Sequence, residues 1–224
     1  MTTANPLTPK VIAALLVIGD KILSGRTKDK NIGYIAEYLT ALGIDLREVR
    51  VVGDEEIAIV DALNALRHRY TYVFTTGGIG PAPDDITSDC VAKAFEVPID
   101  VDPRALAILH EWLKATGAEM SEARMRMTRI PKGADLVLNE VSGAPGFWIG
   151  NVIVLAGVPS IMQAMLDQVG PQAQDRHAPA LGNCPRRCAR ERYRYPARRD
   201  RESQSRSGNR QPSVLRFRSM GPQY

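Results

Sequence analysis

Residues 11–18 form an unbroken apolar run, Val-Ile-Ala-Ala-Leu-Leu-Val-Ile, stopped by Gly19 and Asp20. A strand with one wet face alternates apolar and polar side chains, so a run without alternation is covered on both faces. Such a strand belongs inside a sheet with helices on either side. The following segments agree with that reading. Residues 31–42 place Ile32, Ile35, Leu39 and Leu42 at helical spacing, and Gly43 is a natural stop. Residues 44–52 read as a second strand. Asp54 then fits a helix cap, with Glu55 and Glu56 in a first turn where negative charge favours the helix dipole. The helix over 55–68 turns Ile57, Val60, Leu63, Ala65 and Leu66 inward. Residues 72–75 make a third strand and 85–95 a third helix.

Further on, Asp102 caps a helix with Pro103 at its first position, and that helix runs to about Thr116 before Gly117. Residues 121–127 form a shorter helix. Residues 136–138, 147–149 and 152–156 are short strands, and 159–169 is a last helix that Ser160 could cap. Strands alternating with helices predict a layered α/β domain with a mostly parallel sheet over 11–170, after a polar N-terminus at 1–10.

Charge divides the chain. Residues 1–170 carry 16 Lys+Arg against 21 Asp+Glu, whereas residues 171–224 carry 13 Arg, no Lys and 4 Asp+Glu. The last segment holds too few apolar residues to bury a core. It reads as a disordered basic tail, as a nucleic-acid arm, or as GC-rich DNA translated out of frame. The abrupt boundary and the missing lysine favour the third, and a nucleic-acid partner is the weaker expectation. The gene read in its other two frames past the Gly170 codon should then continue the α/β pattern; stop codons in both would exclude this. Three scattered cysteines suit a reducing cytoplasm. No apolar run is long enough to span a bilayer.

Chemistry concentrates where strands end. The third strand leads into Thr75-Thr76-Gly77-Gly78-Ile79-Gly80-Pro81, and then Pro83-Asp84-Asp85-Ile86-Thr87-Ser88-Asp89. Glycines let backbone N–H groups approach an anion closely, and carboxylates beside them can hold a hard cation that shares phosphate oxygens. Capping of the next helix explains Asp85, Thr87 and Asp89 equally well. The first strand delivers Gly19-Asp20, followed by Ser24-Gly25, Asp29 and Asn31; Asn31 also fits as a helix cap. The second strand delivers Asp54. Three consecutive strands thus each bring an Asp to one sheet edge: Asp20, Asp54, and Asp84 with Asp85. Such carboxylates repel unless a cation or a donor lies among them. Ser142-Gly143-Ala144-Pro145 and Ala156-Gly157-Val158-Pro159 are two further turns, either simple punctuation or donors lining the far side of a pocket. The three histidines are scattered, and Cys184 and Cys188 lack a second pair, so neither a catalytic triad nor zinc is indicated. Cys90, Met120, Met125 and Met127 read as packing, and Trp112 and Trp148 as core or subunit contacts.

Thr76, Gly77, Gly78, Gly80, Asp85 and Thr87 resemble the T-G-G-x-G-x-x-x-x-D-x-T-x-E pattern of the molybdopterin-binding (MoaB/Mog) domain family, with Asp89 in place of Glu. Gly19-Asp20 through Ser24-Gly25, Asp29 and Asn31 looks like a segment of its CinA (competence/damage-inducible protein A) branch, as do Ala144-Pro145-Gly146-Phe147 and Gly157-Val158-Pro159. The resemblance spans about residues 11–169. It implies a three-layer α/β/α domain, often trimeric, that binds a pterin or a nucleotide through its phosphate. It further implies either adenylyl transfer to molybdopterin or hydrolysis of an ADP-ribose- or FAD-like pyrophosphate, with Mg²⁺ or a similar divalent metal. By resemblance Asp54 and Asp85 act at the reacting phosphates and, with Asp84, hold the metal. Gly19, Asp20, Ser24, Asn31, Thr76, Gly77, Gly78, Gly80, Thr87, Asp89, Ser142, Gly143, Pro145 and Gly157 would then line the ligand.

Overall fold

The computed structural model of the protein describes residues 11–175. The readings of residues 1–10 and of the arginine-rich segment beyond 175 lie outside them. Strands β1 (Ile12–Ile18), β2 (Asp45–Val52), β3 (Tyr72–Thr76) and β8 (Val152–Leu155) pair in parallel. β7 (Gly146–Ile149) and β6 (Asp135–Val137) add antiparallel, giving the order β2-β1-β3-β8-β7-β6. The layered, mostly parallel α/β architecture expected from the sequence is the one found.

The apolar run has its explanation in two cores. Ala14, Leu16 and Ile18 face α3 (Glu56–Arg67), α4 (Thr87–Ala94) and α5 (Pro103–Thr116). Ala13, Leu15 and Val17 face α2 (Asn31–Ala41) and α7 (Pro159–Asp175). Every residue from Ala13 to Ile18 is at most 4% exposed, which is why the strand tolerates no polar position.

Several local expectations change. Between β1 and α2, where the sequence pattern assigns no element, α1 (Asp20–Leu23) forms a single turn. Asp54 does not cap α3, whose N-cap is Glu55 without a side-chain bond. The buried stripe of α3 is Ile59, Ala62, Leu63 and Leu66, leaving Ala65 exposed and Ile57 75% exposed. The third helix begins at Thr87, so Asp84 and Asp85 sit in the turn before it. Ser160 lies inside α7 rather than at its cap. A two-stranded sheet of β4 (Ile99–Val101) and β5 (Arg129–Pro131), with α6 (Glu122–Arg126) between α5 and β5, was not visible to periodicity, since three-residue strands carry almost none. Asp102 does cap α5, accepting from the amides of Arg104 and Ala105, and Gly117 closes that helix in the left-handed region.

Helix α7 runs past the sequence boundary at Gly170 and continues through Pro171 to Asp175. Ala173 is fully buried, and its carbonyl accepts from the Tyr72 hydroxyl at 3.1 Å. Gly170 lets α7 approach α2, for a Cβ there would lie 2.6 Å from Tyr38 Cε1 and 2.9 Å from Leu42 Cδ1. A Gly170→Val change gains little helix propensity and forces the rigid Tyr38 ring aside. We expect it to lower unfolding free energy by about 1–3 kcal/mol in denaturant titration, with an unchanged m-value.

Candidate functional site

The C-terminal ends of β2, β1, β3 and β8 lie along one rim in that order, and the start of antiparallel β7 joins them. Asp54, Asp20, Gly77 to Asp85, and Gly157 therefore leave the same edge, with Pro145 beside Gly157. Ligands of open α/β sheets sit outside such strand ends.

The turn after β3 is the best-defined part. Gly77 (φ 106°) and Gly78 (φ 68°) adopt conformations that favour glycine. A Cβ on Gly77 would strike the Ile18 carbonyl, and one on Gly78 would strike the Thr87 hydroxyl. Thr87 is fully buried, donates its hydroxyl proton to the Gly77 carbonyl at 3.0 Å and its amide to the Gly78 carbonyl at 2.9 Å. The turn is thus held from below by the first residue of α4. The Gly77 amide donates to the Leu155 carbonyl. Among the described residues no acceptor is found for the amides of Gly78, Ile79 and Gly80.

Asp85 folds back over this turn. One of its oxygens accepts from the Ala82 amide at 2.8 Å, and a Cβ on Gly80 would lie 2.6 Å from the same oxygen. Asp84 is exposed. Asp89 forms a two-pronged ion pair with Arg129, at 2.9 and 2.7 Å, so it is not a spare carboxylate at the rim.

Asp20 and Asp54 clasp each other's loops. Asp54 accepts from the Asp20 amide at 2.9 Å, and Asp20 accepts from the Asp54 amide at 3.3 Å. Each carboxylate spends one oxygen on this and keeps the other. Two strand spacings separate the Asp54 strand from the Gly77 strand, roughly 10 Å. No group of three or more His, Cys, Asp or Glu among the described residues is arranged to hold a metal by itself. Asp54, Asp84 and Asp85 do not form one cluster.

Asn31 differs from its reading as a helix cap. The Asp29 carboxylate caps α2, accepting from the amides of Asn31 and Ile32 at 3.0 and 2.8 Å. Asn31 is 4% exposed and donates to the Thr76 hydroxyl and the Gly157 carbonyl, both at 2.9 Å. Thr76 passes its own proton to the Ala156 carbonyl at 2.9 Å. Asn31 therefore ties α2, β3 and β8 together beneath the rim, and its Oδ1 has no partner among the described residues. Thr76 and Thr87 are buried with their donors spent; they position the site rather than line it. Ser24 turns its hydroxyl back to the Asp20 carbonyl at 2.7 Å.

The Ser142 turn is organised by Asn139, which sequence reasoning passed over. Its carboxamide oxygen accepts from the Val141 and Ser142 amides and the Ser142 hydroxyl, and its nitrogen donates to the Ala144 carbonyl. Gly143 (φ 66°) lies against Trp112, whose Cβ and Cγ would be 2.4 Å from a Cβ on it, and Gly143 and Pro145 are buried. Arg126 and Arg129 were also missed, although both border the glycine turn: Arg126 donates to the Pro81 carbonyl at 2.7 Å. An Asn-x-x-Ser spacing hinted at the first; nothing in the sequence marked the two arginines among their neighbours.

Comparison with known proteins decides the family. Residues 14–175 match the model described as a probable molybdopterin binding domain. A solved structure described as the protein CinA with unknown function, from Thermoplasma acidophilum, superposes with a TM-score of 0.66 at 32% identity, covering 72% of this chain and 97% of that one. The chain belongs to the molybdopterin-binding domain family, in its CinA branch. A putative competence-damage inducible protein of Clostridium beijerinckii is 34% identical over 73% of this chain, but only 41% of its own length is covered. A protein of Pyrobaculum arsenaticum is 36% identical over 76% of this chain and 66% of its own. The chain thus spans two fifths to two thirds of the length of these curated relatives. A molybdopterin biosynthesis protein of Mycobacterium abscessus shares the fold at 17% identity and a TM-score of 0.52. No helix of the described residues is long and apolar enough to cross a membrane.

Glycines at two places differ in what they protect. Gly25 (φ 71°) has open space around its missing Cβ, so Gly25→Ala should cost only the left-handed penalty, about 1–2 kcal/mol. Gly77→Ala adds a collision with backbone that no rotamer relieves, and should cost at least about 3 kcal/mol. Equilibrium unfolding of the two variants measures the difference; equal losses would mean that the turn is not wedged beneath Ile18.

Proposed function

We propose that the rim binds the phosphate end of a pterin or nucleotide together with a divalent cation, and that the chain hydrolyses a nucleotide pyrophosphate of the ADP-ribose or FAD kind or performs the related adenylyl transfer. The reading rests chiefly on the amides of Gly78, Ile79 and Gly80, which have no acceptor among the described residues. Amides without acceptors, held open beside the N-terminus of α4, make a cradle for an anion.

The donor set suits Mg²⁺ on one condition. This ion is commonly held by one or two carboxylates, with phosphate oxygens and waters filling the other positions. Asp54 with Asp20 beside it, or Asp85 at the glycine turn, would offer that much, the two places lying about two strand spacings apart. They do not offer a cage made of protein alone, so cation and phosphate are expected to bind together. When bound, the ion would neutralise charge developing on phosphorus. The chain's own part is to receive the phosphate on the glycine turn and to present the second oxygen of Asp85 to an attacking water as proton acceptor. Asn31, Thr76 and Thr87 keep that geometry from beneath.

Hydrolysis of ADP-ribose and FAD with Mg²⁺, Mn²⁺ or Co²⁺, alongside thermal shift with nucleotides and pterins, tests the proposal. Asp85→Asn should reduce turnover by about 100-fold or more while leaving the melting temperature close to that of the parent. A pterin that stabilises the chain with no turnover of any nucleotide would make it a silent binding module. Failure of every phosphate ligand to raise the melting temperature would reject the site.

A further inference from the structure

The outer edge of the large sheet is formed by β2, which pairs with β1 alone among the described strands. At eight residues it is also the longest of those strands. Edge strands are ordinarily kept short, because their free N–H and C=O groups invite another chain. Three of the seven exposed large apolar side chains among the described residues lie along this edge. Val49 on the strand is 40% exposed and Leu23 in α1 is 58% exposed. Leu23 approaches Gly53 directly after the strand, and Ile57 follows in the first turn of α3.

The main chain of this strand has a definite sense. The Val52 carbonyl accepts from the Gly19 amide at 3.0 Å, so Val52 turns its main-chain groups toward β1. Successive residues of a strand turn theirs to opposite sides. Val49 and Val51 therefore offer their N–H and C=O groups to the free edge. The register with β1 is regular from Glu48 to Val52 and skips Arg47. Charge is arranged about the exposed valine, with Glu48 before it and Arg50 after it. Glu48 accepts from Arg50 Nε at 2.5 Å and from the Tyr70 hydroxyl at 2.6 Å. The terminal nitrogens of Arg50 have no acceptor among the described residues.

We propose that this edge pairs with the same edge of a second copy of the chain, antiparallel, with a two-fold axis at Val49. Two identical strands joined in this way set each residue opposite the one equally far from the axis, on the same face of the sheet. With the axis at Glu48 or at Arg50, like charges would meet on it. With the axis at Val51, Glu48 would oppose the partner's Asp54. At Val49 each Glu48 faces the partner's Arg50, the two exposed valines meet, and their free N–H and C=O groups satisfy each other. The skipped Arg47 keeps the ladder short, and Leu23 and Ile57 add apolar contact at its ends. A two-fold contact of this kind closes on itself and gives a dimer rather than a ring of three. A plainer role, in which charge and irregularity keep the edge solitary, explains the skip at Arg47. It does not explain charges that complement themselves about an exposed valine, or two further large apolar side chains left in water beside it.

Sedimentation velocity of the full chain over a range of concentrations tests the pairing. The parent should pass from monomer to dimer as concentration rises. Val49→Pro removes an amide that the single copy does not use, at an edge position where proline is tolerated. It should keep the parent's far-UV circular dichroism and sediment as a monomer throughout. Arg50→Glu and Glu48→Arg should each be monomeric alone, because each sets like charges opposite one another, and an equimolar mixture of the two should recover the dimer. Should Glu48→Arg, which also gives up the Tyr70 bond, fail to fold, Val49→Lys decides in its place: two cations meeting on the axis should abolish the dimer. A parent that stays monomeric at every concentration would overturn the assignment. So would an assembly whose mass is unchanged in Val49→Pro or Val49→Lys, or a mixture no more dimeric than its two components.

Discussion

Gly77 sits where any side chain would strike the Ile18 carbonyl, and the rim depends on that wedge. β1 and β3 are neighbours that end side by side, and the chain leaving β3 has to turn sharply without leaving the sheet edge. Glycine alone permits both the backbone angle and the approach. Once the chain passes under Ile18, its next amides have no strand left to pair them and no acceptor among the described residues. Burial of α4 from below then fixes the turn: Thr87 reaches the Gly77 carbonyl from inside the fold, so opening the turn would strand a buried hydroxyl. A row of amides without acceptors among the described residues thus follows from a packing problem at the end of a parallel sheet.

The polar groups around the rim divide by where their protons go. Thr76, Thr87 and Asn31 spend their donors on protein carbonyls and hydroxyls below the surface, and Asp29 spends its carboxylate on the first turn of α2. Among the described residues, the uncommitted groups at the surface of the rim include the main-chain amides at the glycine turn and one oxygen each on Asp20, Asp54 and Asp85. Donors and acceptors of opposite electrostatic character left unpaired along one edge do not satisfy each other at the spacing of the strands. Under the proposed function a phosphate would answer the first kind and a cation the second, each bringing charge that draws in the other.

The sequence made this edge legible because its cause is local. An apolar run without alternation means a covered strand, and glycine after such a run means a turn at its end; both statements hold whatever the rest of the chain does. Asp102 and Gly117 were readable at α5 for the same reason. Ile57 was not. The stripe through Ile59, Ala62, Leu63 and Leu66 and a stripe through Ile57, Val60 and Leu63 both satisfy helical spacing, and only the docking of α3 on β1 chooses between them. Asn31 and Asp54 look like caps to any local rule, yet each was recruited by a partner far off in sequence, Thr76 and Gly157 for one and Asp20 for the other. The β4–β5 sheet joins residues some thirty positions apart through strands of three residues, too short for any period to register. The recruitments over long sequence distance are the ones that build the site, so its location was clear in the sequence while its division into contact and support was not.

That division bears on how a site of this kind can change its ligand. The groups that hold the glycine turn are buried, mutually bonded and costly to alter, since each loss leaves another polar atom unpaired. The α6–β5 arm is different: it meets the turn through two exposed or half-exposed arginines and a methionine, none of which supports the core. Substitutions there cost little stability. If the glycine turn holds a phosphate as proposed, a cradle fixed by the fold and bordered by an arm free to vary could keep that grip while its surroundings change. On this reasoning the residues that can vary at little cost lie along α6 and β5 rather than among the glycines that mark the family.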